Sequence, residues 1–296
     1  MKELVIISGK GGTGKTSIVA AFAALAKNAV MADCDVDAAD LHLVLEPKVM
    51  QTSDFTGGKK ASVIAEKCIG CGKCQDMCRF NAIHLNGLGN DVVEKTYTVD
   101  PVSCEGCKVC VEFCPVDAIE FKDAVNGQWF ISKTRFGPMV HARLGIAEEN
   151  SGKLVTVIRK EAKKLAQQKK KDLLIVDGSP GIGCPVIASI TGANLVLIVT
   201  EPTLSGIHDL QRVAQLTANF GIETLVCVNK ADINPEITDR ICDNTRKHGL
   251  KVIGRIPYDE AFTKAQIMKA TLVEYTGGDI TERIKAMWRE VTSALG

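Results

Sequence analysis

Leu4-Val5-Ile6-Ile7-Ser8-Gly9-Lys10-Gly11-Gly12-Thr13-Gly14-Lys15-Thr16 is the stretch that decides the fold. A short apolar run reads as a strand, a glycine loop follows, and an alanine-rich helical stretch continues to Lys27. Gly9–Thr16 satisfies G-x4-G-K-[ST] in the strand-to-helix setting that this pattern requires. Its glycines let backbone N–H groups form a nest for phosphate oxygens at a helix N-terminus, whose dipole favours anions. Lys15 is placed to lie against β- and γ-phosphates, and Thr16 to offer its hydroxyl to Mg²⁺. Gly11, Gly12, Thr13, Gly14, Lys15, Thr16 and Ser17 are therefore the candidate phosphate-binding residues.

Outward from the loop, strands and helices alternate. Ala29–Ala32 reads as a buried strand ending at Asp33, and Leu173–Val176 as another ending at Asp177. Leu195–Thr200, Leu225–Asn229 and Val252–Ile256 are further strand-like runs, separated by helical stretches at 205–220 and 236–248. Leu154, Val157, Ile158, Ala162, Leu165 and Ala166 share one helical face. This predicts an α/β domain with a doubly wound, mostly parallel sheet covered on both faces. Ile280, Ile284, Met287, Trp288, Val291 and Leu295 predict a final helix that closes the flank of the sheet, since its polar face mixes acids and bases. Gln51–Lys60, rich in Thr, Ser, Gly and Lys, reads as a linker.

That linker opens onto the anomaly in the composition. Of 12 cysteines, eight lie between Cys68 and Cys114. Cys68-Ile-Gly-Cys71-Gly-Lys-Cys74-Gln-Asp-Met-Cys78 precedes Ala82-Ile83, and Cys104-Glu-Gly-Cys107-Lys-Val-Cys110-Val-Glu-Phe-Cys114 precedes Ala118-Ile119 at the same offset. Each half spells C-x2-C-x2-C-x3-C, the spacing that wraps three thiolates around one cubane and sends the fourth to another. Structural zinc is the competing reading, but zinc sites pair two C-x2-C units across a longer gap. Arg79 stands where the second half has Pro115; it either raises the potential of the neighbouring cluster or simply occupies a solvent-facing loop.

The formal net charge of +1 supplies no field to recruit nucleic acid. The apolar run at the start is shorter than the roughly 7–15 residues of a secretory signal, and no run approaches a membrane span of about 18. A cytoplasmic protein without membrane insertion is expected, and there clustered cysteines hold metal more often than they form disulfides.

The early lysine in Lys10-Gly-Gly-Thr-Gly-Lys15-Thr16 resembles the deviant Walker A motif of the SIMIBI-type MinD/ParA/Mrp and nitrogenase-iron-protein superfamily. That resemblance implies that Lys10 reaches across a nucleotide-dependent homodimer to the partner's ATP. Asp33-Cys34-Asp35 is similar to the first switch, implying Asp35 as the group activating the attacking water and Asp33 in the Mg²⁺ shell. Asp177-Gly-Ser-Pro-Gly181 resembles the second switch, implying contact of Asp177 with Mg²⁺ through water. Asn229 and the Ile256-Pro257-Tyr258-Asp259 loop would meet the base. Lys10, Lys15 and Asp35 are thus the candidate catalytic residues, with Thr16, Asp33 and Asp177 for Mg²⁺. Asn229-Lys230-Ala231-Asp232 also fits N-K-x-D, which keeps GTP open as the nucleotide.

The cysteine module resembles bacterial two-cluster ferredoxins. The likeness implies one [4Fe–4S] cluster on Cys68, Cys71, Cys74 and Cys114, and a second on Cys78, Cys104, Cys107 and Cys110. Together the chain resembles MinD-superfamily ATPases with an inserted ferredoxin-like α+β module, implying segments 1–55, 56–125 and 126–296. The function expected is ATP-driven dimer switching coupled to electron transfer, with a redox partner or a cluster-accepting protein. An ATP-dependent cluster carrier and a MinD-like positioning ATPase are the alternatives. Glu149-Asn150-Ser151-Gly152-Lys153 is similar to a segment of that family in which Asn150 or Lys153 touches nucleotide or partner; a helix cap at Ser151 competes. Cys184, behind the second switch, reads as a small buried thiol, Cys227 and Cys242 as core, and Cys34 as a poor nucleophile between two acids.

Overall fold

The computed structural model describes residues 1–145 and 152–296. The chain begins β1 (Lys2–Ser8), α1 (Lys15–Leu25), β2 (Ala29–Asp33), α2 (Leu41–Leu45) and β3 (Lys48–Val63). The cysteine segment follows as α3 (Lys73–Asp76), β4 (Ile83–Leu88), β5 (Lys95–Val99) and α4 (Val109–Glu112), and leads into β6 (Ile119–Thr134). Then come β7 (Gly137–Leu144), α5 (Lys153–Gln168), β8 (Leu173–Asp177), α6 (Cys184–Ile190), β9 (Leu195–Thr200), α7 (Leu204–Asn219) and β10 (Glu223–Asn229). The chain closes with α8 (Pro235–Lys247), β11 (Lys251–Ile256), α9 (Ala261–Ile267), α10 (Leu272–Tyr275) and α11 (Asp279–Leu295).

Two compact units result. Among the described residues, one holds 1–53, 129–143 and 152–296, and the other holds 54–128 with 144–145. The sheet runs β11-β10-β9-β1-β8-β2-β7-β6-β3. β1 pairs in parallel with both β8 and β9, β2 with β8 and β7, and β10 with β9 and β11. β1 leads through α1 to one side and β8 through α6 to the other, so strand order reverses beside β1. Ligand crevices of open α/β sheets lie at such a reversal, outside the carboxyl ends of the strands. Ser8, Asp33, Asp177, Thr200 and Asn229 all end strands there. Leu4, Val5, Ile6 and Ile7 are wholly buried, as a central parallel strand covered on both faces must be.

Two expectations change. Residues 51–60 are not a linker but part of β3, whose Gly57 and Gly58 N–H groups are both accepted by the Asn126 side chain at 2.9 Å. Intrinsic β-propensity is weak there, and sheet pairing overrides it. On α5, Val155 and Arg159 are buried while Val157 is only half-buried. Arg159 is admitted because it bonds buried Glu3 (2.9 and 2.5 Å) and the carbonyls of Ala188 and Thr191 at the end of α6. The N-cap of α5 is Gly152; Glu149, Asn150 and Ser151 lie outside the described residues. The last helix does close the flank: Met287 packs against Gly254 of β11 and meets Cys227 Sγ through its sulfur at 3.8 Å.

In the cysteine unit the sequence repeat is a backbone repeat. α4 follows α3 by 36 residues, from Lys73 to Val109, and the left-handed positions Gly70, Gly72 and Asn81 recur as Gly106, Lys108 and Asp117. β4 and β5 form an antiparallel hairpin between the halves. The core there is small: Ala61, Cys68, Cys74, Ile83, Tyr97, Ala118 and Ile119.

Candidate functional site

At the carboxyl ends of the strands lies a cavity of about 340 Å³. Gly11 to Ser17, Asp35, Asn229 and Pro257 all line it, so the phosphate-side and base-side candidates share one crevice. Gly14 N-caps α1 at φ 84°, and a Cβ there would stand 2.3 Å from Asn229 Nδ2. Only glycine satisfies both the left-handed backbone and that close approach. Asn229 Nδ2 donates to the Thr13 carbonyl at 2.8 Å, so this residue braces the loop from the end of β10.

Beneath the loop, Lys15 is buried against Asp177 Oδ1, to which it donates, and Asp35 Oδ2 at 3.2 Å. Burial pulls the Lys15 pKa down, but Asp177 and Asp35 more than offset this and raise it. Asp33 lies alongside, and its Oδ1 accepts from the Asp35 N–H. Burial, then repulsion from Asp177, pushes the Asp33 carboxyl well above the usual range; burial raises Asp35 too, against the pull of Lys15. Thr13 Oγ1, Asp33 Oδ2, Asp35 Oδ1 and Asp177 Oδ2 are buried and have no partner among the described residues. Unsatisfied buried acceptors cost about 1–3 kcal/mol each, more when charged. Hard oxygen donors converging beside a phosphate nest suit Mg²⁺ with a nucleotide.

Lys10 is elsewhere. It pairs with Glu201 Oε1 at 2.7 Å and reaches Ser205 Oγ at 3.1 Å within its own chain. Lys230 bonds the other Glu201 oxygen at 3.0 Å and the Gly12 carbonyl at 2.9 Å, so Glu201 joins the phosphate loop to the end of β10. Glu201 had no motif to announce it; its position at the end of β9 is the only available signal. Asp232 does not line the cavity, and its Oδ1 accepts from the Tyr258 N–H at 2.5 Å, which shapes the Pro257 loop. Tyr258, Phe262 and Gln266 line the base end instead; the latter two come from α9, which carries no recognisable motif.

The eight clustered cysteines surround two small cavities. Cys68, Cys71, Cys74 and Cys114 line one; Cys78, Cys104, Cys107 and Cys110 line the other. Each takes three thiols from one half of the repeat and its fourth from the other half. Ala118 N–H donates to Cys114 Sγ at 3.2 Å. Among the described residues no three His, Cys, Asp or Glu side chains converge on a point fit for a single metal ion. Of the other cysteines, Cys227 and Cys242 are buried, but Cys184 is exposed, because it is the first residue of α6 and projects from the helix start. Cys34 is buried and its thiol pKa is raised well above normal, by burial first and by its acidic neighbours beyond that.

Residues 4–272 match the family described as the CobQ/CobB/MinD/ParA nucleotide binding domain. An uncharacterised protein of Methanocaldococcus jannaschii is 32% identical over 292 residues, covering 98% of this chain and 96% of its own length. The iron–sulfur subunit of the nitrate-inducible formate dehydrogenase of Escherichia coli is 46% identical over 57 residues, 19% of each chain. The septum site-determining protein MinD of Pyrococcus horikoshii, solved with Mg-ADP, superposes with a TM-score of 0.56 at 17% identity, covering 100% of this chain and 97% of its own. At that identity the superposition shows the fold. The described residues contain no helix long and apolar enough to cross a membrane.

Proposed function

The chain belongs to the CobQ/CobB/MinD/ParA nucleotide-binding family, and from that premise we propose a Mg²⁺-dependent ATPase whose nucleotide cycle gates electron transfer through two [4Fe–4S] clusters. The observation that carries this reading is the crossed grouping of the cysteines around two cavities in one unit, in a chain whose other unit sets buried carboxylate oxygens without partners beneath a phosphate loop. Thiols spread around a cavity suit a cubane, which is wider than one zinc ion. Bound clusters would supply one-electron carriers, and Mg²⁺ would neutralise phosphate charge.

The work of the chain is positional. Backbone N–H groups of Gly11 to Thr16 hold phosphate oxygens, and Lys15 turns from Asp177 to the β- and γ-phosphates. Asp33, Asp177 and Thr16 would hold Mg²⁺, and Asp35 would orient the attacking water and take its proton. Lys10 exchanges Glu201 for the nucleotide of a second copy, so that closure depends on the γ-phosphate. A ligand drives such a change only through differential affinity for two states, and the γ-phosphate is what differs.

The deciding experiment reconstitutes the full chain anaerobically, counts iron and sulfide, and measures ATP and GTP hydrolysis with and without Mg²⁺. Electron paramagnetic resonance follows the clusters with ATP, ADP or no nucleotide. Iron–sulfur signals whose potential or reactivity responds to ATP support the reading. Clusters indifferent to nucleotide and handed intact to an apo-acceptor would sink it in favour of a cluster carrier.

A further inference from the structure

The two cysteine groups share one backbone repeat but are roofed differently. In the first half the β4–β5 hairpin folds over the loop: a Cβ on Gly70 would stand 3.0 Å from Val93 Cγ1, and one on Gly72 3.2 Å from Tyr97 Oη. The turn of the hairpin is fastened by Asn90. Its Nδ2 donates to the Ala65 and Cys68 carbonyls at 2.6 and 2.8 Å, and its Oδ1 accepts from the Val92 and Val93 N–H groups at 2.9 Å. In the second half Gly106 faces the Lys59 carbonyl, and Lys108, the counterpart of Gly72, is exposed. Cys68 and Cys74 are accordingly only 8% exposed, although Cys71 of the same group is exposed and Cys114 half-buried; in the other group Cys78, Cys104 and Cys110 are half-buried and Cys107 exposed. Exposed Met77 and Phe80 edge the second cavity, as exposed Ile69 and Val116 edge the first.

Resting on the iron–sulfur reading above, we propose that the β4–β5 hairpin, pinned by Asn90 and Tyr97, insulates the Cys68 and Cys74 side of the Cys68/Cys71/Cys74/Cys114 group, so that the two clusters are inequivalent. Reduction adds one negative charge, and a shielded site disfavours added charge. The covered cluster is therefore the harder to reduce and the slower to lose its iron. The open group is where an external one-electron donor or acceptor exchanges electrons, and one electron then passes between the groups. Asn90 and Tyr97 act here as positioning residues.

The test uses the anaerobically reconstituted full chain, about eight irons per molecule if both sites fill. A ferrous chelator such as bathophenanthroline should strip iron in two phases of similar size, and a dithionite titration should show two separated midpoints. Asn90→Ala should speed the slow phase about tenfold, the equivalent of 1.4 kcal/mol, and draw the lower midpoint towards the upper, leaving the fast phase alone. Should Asn90→Ala fail to fold, the wild-type phases and midpoints still decide the matter. One release phase with overlapping midpoints overturns the insulating cover while full iron content leaves the cluster reading standing. A chain that takes up no iron removes both.

Discussion

In the nucleotide unit, β1, β8 and β9 are buried almost throughout, and Phe22, Leu154 and Ile158 are among many wholly enclosed side chains. Among the described residues the cysteine unit gathers one core cluster of seven buried residues, two of which are cysteines of the candidate site. The first unit can fold around a polar cavity and tolerate buried carboxylate oxygens without partners, because its hydrophobic core is large. The second has about the smallest core on which a domain folds alone, and such domains usually need metal or disulfides. On the proposed function, ligand binding in the first unit would adjust a finished structure, and in the second it would be part of folding.

The strongest way to break this contrast is to remove metal. Chelation under reducing, anaerobic conditions should release amide hydrogens of 83–88 and 95–99 to near-free exchange, while β1, β8 and β9 stay protected. Uniform protection in both states would mean that the cysteine unit folds by itself.

Lys15→Met attacks the other side. It leaves Asp33, Asp35 and Asp177 without their buried cation, at a cost of about 3–5 kcal/mol less whatever protonation of Asp33 relieves. Denaturant titration should show that loss in the nucleotide unit, together with a fall in nucleotide affinity of at least about 100-fold, with iron content unchanged.

Gly106→Ala should do the reverse. Its Cβ would stand 2.1 Å from the Lys59 carbonyl at φ 63°, so a loss of about 2–3 kcal/mol is expected. Iron retention should drop and nucleotide affinity should hold. Equal damage to both ligands would show that the units are energetically inseparable.

Acid sharpens the comparison more gently. Burial, with some repulsion from His42, lowers the His141 pKa to about 4, and its Nε2 lies 2.9 Å from Ser132 Oγ in the nucleotide unit. The unfolded state binds the proton first, so stability is full above pH 6.5 and is lost as the pH falls towards 4, by about 2 kcal/mol. Melting temperature against pH should flatten over that window in His141→Asn. Smallest of all, Glu201→Gln weakens a partly exposed pairing with Lys10 and Lys230 by under about 1 kcal/mol. It should appear as a change in ATP affinity rather than in melting temperature.

Much of the site was legible where chemistry demands a residue type at a fixed spacing. The phosphate loop, the strand-end aspartates and the cysteine repeat all belong to that class, and the strands from β8 to β11 were readable within two residues at either end. Residues 51–60 misled because a Thr, Ser and Gly composition describes a loop and a paired strand equally well. Arg159 hid on α5 because a charge looks like surface until Glu3, distant in the chain, is known to face it. Cys184 was misjudged because residue type says nothing about which way a helix start points.

By itself the sequence determined which groups could bind phosphate, a hard cation and iron, since those demands are local and written in glycines, aspartates and thiols. Only the tertiary structure decided which acid each lysine meets, that Asp232 turns to the Tyr258 N–H, and that Asn90 pins a hairpin turn onto the Cys68 side of one cysteine group. Those outcomes depend on which residues, far apart in the chain, share a low-dielectric interior. There every buried polar atom must find a partner or remain without one.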